Sequence, residues 1–535
     1  MFYEKNIIKK NPLRVDIRFA SVYPNVYKTA MSSLGYQIIY SFVNDRQDCY
    51  CERIVYPAYR SLETNSPLAD FDIVSFTIQY EQDYFNVLEI LKKAGIPLRR
   101  EERGENDPLI IAGGPCVSAN PLPLSDFIDI FIIGEAEAVL YDFLDLYKDL
   151  ENSKGLNHND LSRFADINGL YVSHLNNDVE IAILDDMTDA YQLENPIITE
   201  TDDADLMPVF SNSIFLNVSR ACTRGCRFCM SSYLYRPMRE SDLNSLIEMA
   251  KSTREKTGIN KITLIGAAVS DYSRINELID TLRNEGFLVS TPSMRIESIN
   301  HEILLSLRQS GLKTLTIAPE SIYRLRKSIN KKIPDEKIFE VIRDAVDLGF
   351  NLKLYFLIGL SSSNQKDIED LAEFMRNIDS MKYNIDSNSE SSRKKAKVSI
   401  KFSVNPLIPK PHTPFQWKSY DIKDIKSKIK FLKKNLKGLD IKFDSARMGL
   451  IQYVLSCGSR QTGDLIEKSL SQKVSLKEWK IHVPHYEVGD ALPWDSIHVS
   501  VNKDFLICEY EKLESGEETP WCEENSCYNC GACDN

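Results

Sequence analysis

Three cysteines lie close together in residues 221–230, which read ACTRGCRFCM. Cys222, Cys226 and Cys229 follow the spacing C-x3-C-x2-C. A cubane iron–sulfur cluster held by three thiolates keeps one iron without a protein ligand. An open iron of this kind can bind a substrate, as an open zinc position binds water. The alternative is a zinc knuckle completed by a distant ligand, but zinc sites usually pair C-x2-C units. The spacing therefore favours a [4Fe–4S] cluster.

A second group of cysteines lies near the C-terminal end, with the spacing C-x4-C-x2-C-x2-C. Its members are Cys522, Cys527, Cys530 and Cys533. Four thiolates can saturate one metal centre, and a single zinc or iron is as compatible with them as a cubane. The centre would be structural or would tune the entry of electrons. The other cysteines are expected to be core residues: Cys49, Cys51, Cys116, Cys457 and Cys508.

The three-cysteine loop leaves the first of six predicted strands that alternate with helices from about Ile214 to residue 418. This pattern predicts a partial (β/α)6 barrel over residues 211–418, whose active site lies at the C-terminal ends of the strands. A polar segment, residues 381–398, is expected to be a surface loop. Residues 419–535 are expected to form a small C-terminal domain with the four-cysteine metal site.

The first 150 residues also alternate strand-like and helix-like segments. This rhythm predicts an α/β domain with a parallel, doubly wound (Rossmann-like) sheet, which binds ligands at the carboxyl ends of its strands. Gly113, Gly114 and Gly134 are placed at those ends. They either let a large ligand approach the backbone or form plain turns. Residues 151–210 are mixed and partly acidic, and we expect them to be a connector.

The bulk composition narrows the classes of partner. The chain has 535 residues and a net charge of -12, which argues against a strongly nucleic-acid-binding surface. It has no apolar run of about 18 residues, as a membrane span needs. The N-terminal segment lacks the apolar core of a signal peptide, so we expect a cytoplasmic protein without a membrane partner. In that reducing compartment, clustered cysteines indicate metal rather than disulfides.

The motif ACTRGCRFCM resembles the signature of the radical S-adenosylmethionine (SAM) superfamily, and the likeness covers roughly residues 210–415. The stretch YRPMRE at residues 235–240 also resembles a subgroup of that superfamily. The resemblance implies that the open iron chelates SAM. It also implies that an electron from the cluster cleaves the sulfonium to give a 5′-deoxyadenosyl radical. An electron donor such as a ferredoxin or a flavodoxin is implied as a partner.

The same resemblance implies further contacts to SAM at the strand ends. The superfamily usually has Gly-Gly-Glu after the second barrel strand, whereas this chain has Gly266-Ala267-Ala268, so the glutamate contact is missing. The other implied cofactor residues are Ser293, Arg295, Glu320 and Tyr355. Tyr355 would stack on the adenine. For Ser293, Arg295 and Glu320 the alternative is a helix cap or a surface ion pair.

A doubly wound domain before a radical SAM barrel resembles the cobalamin-binding arrangement. Cobalamin domains that ligate cobalt from below use Asp-x-His-x-x-Gly, but no histidine precedes His158 here. The resemblance therefore implies a His-off cobalamin, whose lower face meets Gln79 and Tyr80 after a predicted strand. The alternative is a degenerate domain that binds nothing.

Chains of this layout resemble C-methyltransferases that move a methyl group from methylcobalamin to an unactivated sp3 carbon. The acceptor would be a small molecule or a protein side chain, with a glutamine of methyl-coenzyme M reductase as a specific candidate. One alternative is a radical SAM methylthiotransferase, or another radical SAM enzyme that acts on tRNA or a small molecule without cobalamin. A methylthiotransferase needs three N-terminal cysteines, for which Cys49, Cys51 and Cys116 are poorly spaced. A non-enzymatic electron carrier would explain the tail but not the barrel.

Overall fold

The computed structural model describes residues 2–154, 161–210, 212–360, 363–383, 398–522, 527 and 529–533. Most of the predicted surface loop at 381–398 lies outside these ranges. The strands are β1 Phe2–Lys5, β2 Ile17–Tyr23, β3 Cys49–Val55, β4 Ile73–Thr77, β5 Leu109–Gly113, β6 Ile130–Ile132, β7 Leu170–Val172, β8 Val179–Glu180, β9 Ile198–Thr201, β10 Ile214–Asn217, β11 Ser219–Arg220, β12 Arg239–Glu240, β13 Lys261–Ile265, β14 Leu288–Ser290, β15 Thr314–Glu320, β16 Asn351–Ile358, β17 Ile400–Pro406, β18 Asp440–Phe443 and β19 Ile497–His498. The helices are α1 Tyr27–Ala30, α2 Leu34–Asp45, α3 Tyr84–Ala94, α4 Pro115–Ala119, α5 Leu140–Lys154, α6 Leu243–Thr257, α7 Ile275–Asn284, α8 His301–Gln309, α9 Tyr323–Ser328, α10 Asp335–Asp347, α11 Gln365–Ser380, α12 Ile422–Asn435, α13 Ala446–Cys457, α14 Thr462–Ser469, α15 Leu476–Ile481 and α16 Lys503–Ser515.

The chain folds into two compact units. The first comprises residues 1–213, 255–259 and 452–500, and the second comprises residues 214–254, 260–451 and 501–535. Residues 151–210, predicted as a connector, fall inside the first unit, and residues 419–535 are shared between the two. The two compact units therefore have other boundaries than residues 150, 210 and 418. The domain boundaries at those three positions stay a prediction.

The first unit is built on a six-stranded sheet with the order β3-β2-β4-β5-β6-β7. Strands β2 to β6 are parallel and β7 pairs antiparallel with β6. Strands β3 and β4 are buried along their whole length, as expected for strands covered on both faces. The strand order reverses beside β2, which creates a crevice at the carboxyl edge. The predicted doubly wound domain is confirmed.

The second unit carries two parallel sheets, β10-β13-β14 and β15-β16-β17-β18. The backbone N–H of Met294, past β14, donates to Thr316 O in β15 at 3.2 Å. The six predicted barrel strands are confirmed, and β18 adds a seventh strand from the residues predicted to form the C-terminal domain. Within β16, Phe356 packs on Phe374 of α11, so the alternate residues of that strand face away from the helix.

Within the described residues, no helix combines the length and the apolar character that are needed to cross a bilayer.

Candidate cysteine-rich active site

The three-cysteine loop is an excursion between two short strands of the second unit. Strands β11 and β12 pair antiparallel, with Ser219 opposite Glu240 and Arg220 opposite Arg239. Residues 221–238 therefore form a loop whose two ends are held together by this strand pair, directly beyond the end of β10. This is the carboxyl end of a barrel strand, where side chains of the following loop reach the active site of a β/α barrel.

The cysteines lie on the inner side of this loop. Cys222 and Cys226 are buried, and Cys229 is half-buried. The N–H of Cys229 donates to Cys226 O at 3.0 Å, which closes the second half of the motif into a turn. Gly225 has a φ of 66°, a conformation that favours glycine, and its carbonyl accepts a bond of 3.1 Å from the Tyr233 hydroxyl.

The intervening Arg227 anchors the loop. Its backbone N–H donates to Ile329 O at 3.1 Å, and its guanidinium donates to Ser328 O at 2.7 Å. The same guanidinium forms an ion pair of 3.0 Å with Glu509 of α16, and both side chains are fully buried. Asn330 adds a bond of 3.2 Å from its side-chain amide to Gly225 O. The loop is thus held by contacts that do not use its sulfurs.

Arg295 directs a positive charge at the thiols. Its backbone N–H donates to Ser270 Oγ at 2.9 Å, and its Nη1 lies 3.8 Å from Cys226 Sγ. Burial raises the pKa of the Cys222 thiol to about 11, while the nearby Arg295 opposes that shift. A metal must displace the proton, so a cation beside the sulfurs favours the thiolate form that binds iron.

A run of alternating charges continues from Arg295 towards the end of β15. Arg295 Nη2 donates to Glu297 at 2.7 Å. Burial opposes ionisation of Glu297, but Arg295 and Lys331 outweigh it and hold the pKa of its carboxyl below its usual range. Lys331 in turn bonds Glu320 at 2.9 Å. Glu320 is buried and has a φ of 62°, which is rare for a residue with a side chain. Glu297 and Lys331 thus lie between the charges of Arg295 and Glu320. The sequence analysis did not identify either of these two residues as part of the site.

The remaining predicted SAM residues are more dispersed. Gly266 directly follows β13, and a Cβ there would lie 2.9 Å from Ser219 Oγ, so this glycine lets the two backbones approach. Tyr355 lies on the face of β16 opposite to the buried Phe356, with Lys353 Nζ 5.0 Å from its ring centroid. Ser293 is exposed and lies three residues past β14.

Several buried polar atoms of the second unit accept or donate no hydrogen bond within the described chain. Among them are Ser219 Oγ, Arg224 Nη1, Glu297 Oε2 and Ser321 Oγ. These residues flank the cysteine loop, Arg295 and Glu320, and such atoms favour a polar ligand because burial without a partner is costly. SAM carries an amino group, a carboxylate and ribose hydroxyls, which fit this set. Ser219, Glu297 and Ser321 each follow the end of a barrel strand. This position could have identified them from the sequence.

The thiols of the described chain are not arranged around a single ion. Tetrahedral zinc with Zn–S bonds near 2.3 Å brings its sulfurs to about 3.8 Å from one another. Among the residues that the structure describes, no three His, Cys, Asp or Glu side chains form such a group. The donor set of three thiols beside a cation, with further unpaired polar atoms, fits a cluster whose fourth corner takes a ligand.

The predicted cobalamin residues lie in the first unit, at the carboxyl edge of its sheet. A Cβ on Gly113 would meet nothing closer than 3.7 Å. Gly114 and Gly134 are different, because their φ values are 112° and 119° and a Cβ would come within 2.4 Å of Ile78 O and 2.0 Å of Ala182 O. Backbone packing by itself requires glycine at these two positions. Gln79 and Tyr80 follow β4 and are exposed.

The four tail cysteines belong to the second unit, like the first loop. Cys530 is buried, Cys522 is half-buried, and Cys527 and Cys533 are exposed. Burial raises the pKa of the Cys533 thiol, and the nearby Cys530, Cys522 and Cys527 raise it further.

Two family models match the chain. The model for the radical SAM superfamily matches residues 216–375, and a model for the N-terminal region of radical SAM proteins matches residues 35–173. The uncharacterised protein MJ0966 of Methanocaldococcus jannaschii is 31% identical over 458 residues, which is 84% of this chain and 90% of that protein. The GTP 3′,8-cyclase of Aquifex aeolicus is 26% identical over 30% of this chain and 52% of its own length.

Among solved structures, the chain is similar to TsrM from Kitasatospora setae, a radical S-adenosylmethionine methyltransferase solved with cobalamin and a [4Fe–4S] cluster. The sequence identity is 12%, the match covers 76% of this chain and 78% of that chain, and the TM-score is 0.49. The family models span both units, and the signature cysteines lie inside the superfamily match. This chain belongs to the radical SAM superfamily.

Proposed function

We propose that the protein is a cobalamin-dependent radical SAM C-methyltransferase. The observation that carries the proposal is the carboxyl edge of the first sheet. There a Cβ on Gly113 would meet only Ile132, at 3.7 Å, and the exposed Gln79 and Tyr80 follow the adjacent strand β4. The sequence has no histidine before His158, so a corrinoid at this edge would have no His ligand from the strands.

The polar groups at this edge are held in place by one another. The Tyr80 hydroxyl donates to Gln452 Oε1 at 3.2 Å, and Gln452 Nε2 donates to the buried Glu81 at 3.0 Å. Asn25 donates to Asp83 at 2.8 Å. Tyr80 is thereby fixed while its ring stays exposed, which suits a residue that packs against a large flat ligand.

In the second unit the residues of the chain would bind and orient SAM. Cys222, Cys226 and Cys229 would hold the cluster, Arg295 would stabilise their charge, and Glu297 and Glu320 would accept hydrogen bonds from the amino group or ribose. When bound, the cluster with SAM would supply a carbon-centred radical, and the corrinoid would supply the methyl group.

The methylthiotransferase alternative receives no support from the N-terminal cysteines. Cys49 and Cys51 lie in β3 within the apolar core of the first unit, together with Ile17 and Phe19. Burial raises the pKa of the Cys49 thiol to about 12, so this sulfur is kept as a neutral thiol. Cys49 and Cys51 are core residues, as expected from the sequence, and this position does not favour a role as ligands of a second cluster.

For the acceptor we propose an unactivated sp3 carbon, on a protein side chain or a small molecule. A glutamine of methyl-coenzyme M reductase is a specific candidate that rests on the resemblance alone. Mass spectrometry of the proteome with and without the gene tests it, because a methylated carbon adds the mass of one CH2 to the target peptide.

The decisive experiment is anaerobic purification from cells supplied with cobalamin. We expect a corrinoid absorption spectrum, and 5′-deoxyadenosine after incubation with SAM and dithionite. The Cys226→Ala variant should lose the second product and keep the corrinoid. A wild-type protein that binds no corrinoid would refute the cobalamin assignment, whereas one that forms no 5′-deoxyadenosine would refute the radical function.

A further inference from the structure

The inner face of the four-stranded sheet in the second unit is polar near the start of its strands. In β16 the residues that face away from the helices are Lys353, Tyr355 and Leu357, of which Lys353 is exposed and the other two are half-buried. The opposite face is apolar, and Phe356 packs on Phe402 of β17 with 6.1 Å between the ring centroids. The interior of a complete β/α barrel is instead filled by bulky branched side chains. Packing of a core therefore does not explain the polar inner face.

Two lysines lie directly opposite each other on this face. The parallel register pairs Lys353 of β16 with Lys401 of β17, and both side chains are exposed. Neighbouring strands are about 4.8 Å apart, so the two ammonium groups repel each other wherever no anion lies between them. The pair therefore does not help the sheet to form, and an anionic ligand would relieve its repulsion.

The neighbouring carboxylates neutralise only part of this charge. Lys401 lies 4.0 Å from Asp440 of β18, and Lys442 lies 3.7 Å from Asp444. Within the part of the chain that the structure describes, no carboxylate forms an ion pair with Lys353. The row of charges on this face thus carries one net positive charge. A single carboxylate matches that charge, whereas a phosphate group carries up to about two negative charges at neutral pH.

The ammonium group of Lys353 is directed along the strand towards its carboxyl end. Its Nζ lies 5.0 Å from the centroid of the Tyr355 ring, two residues further along β16. A cation over an aromatic face is attracted by the ring, so Tyr355 holds the ammonium in this direction without neutralising it. One face of the Tyr355 ring is therefore occupied by a lysine of the chain itself.

The same row of side chains leads towards the cysteine loop. Leu357 and Phe228 both pack against one apolar cluster, which is formed by Leu325, Ile329, Leu360, Leu407, Phe415 and Leu513. Phe228 lies between Cys226 and Cys229 in sequence. From Lys353 to Leu357 the strand rises by about 13 Å. A molecule that lies along this row with one end at Lys353 therefore has its other end towards the three-cysteine loop.

This length distinguishes a small molecule from a protein side chain. An Asp or Glu side chain is much shorter than four residues of extended strand. It cannot place its carboxylate at Lys353 and one of its carbons at the level of Leu357. An extended medium-chain carboxylic acid can do both.

We propose that Lys353 and Lys401 bind the carboxylate of the methyl acceptor, and that this acceptor is a small carboxylic acid whose chain extends along Tyr355 towards Leu357. Charge complementarity selects the anion, and the direction of the strand places its far carbons towards the three-cysteine loop. The role as acceptor rests on the radical methyl transfer proposed above, whereas the binding of an acid to the two lysines does not.

Binding of octanoate, compared with its neutral amide octanamide, tests the site. Saturation-transfer NMR on the anaerobically reconstituted full chain should show octanoate bound at least about tenfold more tightly than octanamide, and the Lys353→Gln/Lys401→Gln variant should lose that preference. Lys423→Gln/Lys426→Gln is the matched control, because it removes two exposed lysines from α12 and should keep the preference.

Three results of this comparison would contradict the proposal. Equal binding of the acid and the amide by the wild type would show that charge does not select the ligand. Equal loss of the preference in both double variants would show that only the total charge of the chain matters. Tighter binding of octyl phosphate than of octanoate would overturn the assignment to a carboxylate.

Chemical labelling locates the bound acid. Octanoate should slow the acetylation of Lys353 and Lys401 by acetic anhydride severalfold, as measured by peptide mass spectrometry. Lys366, an exposed cation of α11, should be acetylated at an unchanged rate. Octanamide should protect none of these lysines. Protection of other lysines in place of Lys353 and Lys401 would put the acid elsewhere and overturn the proposal.

Stability separates a role in binding from a role in the fold. The Lys353→Gln/Lys401→Gln variant removes a repulsive pair, so its urea midpoint should equal or exceed that of the wild type. A lower midpoint would assign the two lysines to the fold and overturn their role as ligands.

The binding measurements need neither SAM nor a reductant, so the two proposals fail in different ways. A wild type that binds octanoate but forms no 5′-deoxyadenosine with SAM and dithionite would refute the radical function and keep the carboxylate site. A wild type that forms 5′-deoxyadenosine but does not bind octanoate would refute the carboxylate site and keep the radical function.

Discussion

Arg295 Nη1 lies 3.8 Å from the sulfur of Cys226, and Nη2 of the same guanidinium is held by Glu297 at 2.7 Å. The family resemblance implied a contact of Arg295 with SAM. In the structure it is directed first at a cluster thiol, although its charge can serve both. Its position therefore predicts an effect on the cluster before any substrate binds.

Arg295→Gln should make the reduction potential of the first cluster more negative. Loss of a positive charge beside Cys226 destabilises the reduced, more negative cluster, by on the order of 50–100 mV for one electron. A redox titration followed by electron paramagnetic resonance, without SAM, measures this shift. Lys366→Gln is the control, because Lys366 is an exposed cation of α11. Equal potentials for both variants would contradict the proposed role.

Glu509→Gln should destabilise the second unit. The substitution leaves the charge of Arg227 buried without its carboxylate, which costs about 3 kcal/mol in the free energy of unfolding. Urea denaturation of the iron-free protein measures the loss, and iron retention should fall with it. Glu514→Gln on the same helix removes a half-exposed carboxylate and should cost less than about 1 kcal/mol. Similar losses in the two variants would argue against the importance of the buried pair.

Two glycine variants should distinguish a packing role from a ligand-binding role in the first unit. Gly134→Ala should lower the free energy of unfolding, whereas Gly113→Ala should leave it nearly unchanged. Gly134→Ala places a Cβ 2.0 Å from Ala182 O at a φ of 119°, so we expect a loss of at least about 3 kcal/mol in stability. Gly113→Ala has no contact closer than 3.7 Å and should cost less than about 1 kcal/mol.

If a corrinoid occupies this edge, Gly113→Ala should bind it more weakly while the fold is kept, as measured by a spectroscopic titration with hydroxocobalamin. Unchanged corrinoid binding by a folded Gly113→Ala protein would place the ligand elsewhere.

Asp83→Asn should remove a pH dependence of the first unit. Burial raises the pKa of Asp83 to about 6, Asn25 opposes the shift and Glu81 adds to it. The folded state therefore favours the protonated carboxyl. The free energy of unfolding is highest below pH 4 and falls as the pH rises to about 6, by up to about 3 kcal/mol.

The neutral asparagine should flatten that slope and stabilise the protein at pH 7. Urea midpoints between pH 4 and pH 7 measure both effects, with Glu105→Gln as an exposed control. A slope in Asp83→Asn as steep as in the wild type would show that another group titrates there.

The sequence alone predicted the six barrel strands and both cysteine motifs, because these depend on near neighbours. Alternation of apolar residues is read within one strand, and the spacing of Cys222, Cys226 and Cys229 is fixed within a single loop. It also predicted correctly that Cys49, Cys51, Cys116 and Cys457 are core residues, but the same prediction for Cys508 is wrong, because that thiol is exposed. The fourth strand of the second sheet, β18, was missed because its four residues are at most half-buried and show no apolar pattern.

Only the tertiary structure decided what surrounds those motifs. The contact of Arg295 with Cys226 joins residues 69 positions apart, and the ion pair of Arg227 with Glu509 joins residues 282 positions apart. The sequence placed Gly134 at a strand end, but only the fold shows that a Cβ there would come within 2.0 Å of the carbonyl oxygen of Ala182. Such pairings depend on how distant segments pack, and packing over long separations leaves no local pattern in the chain.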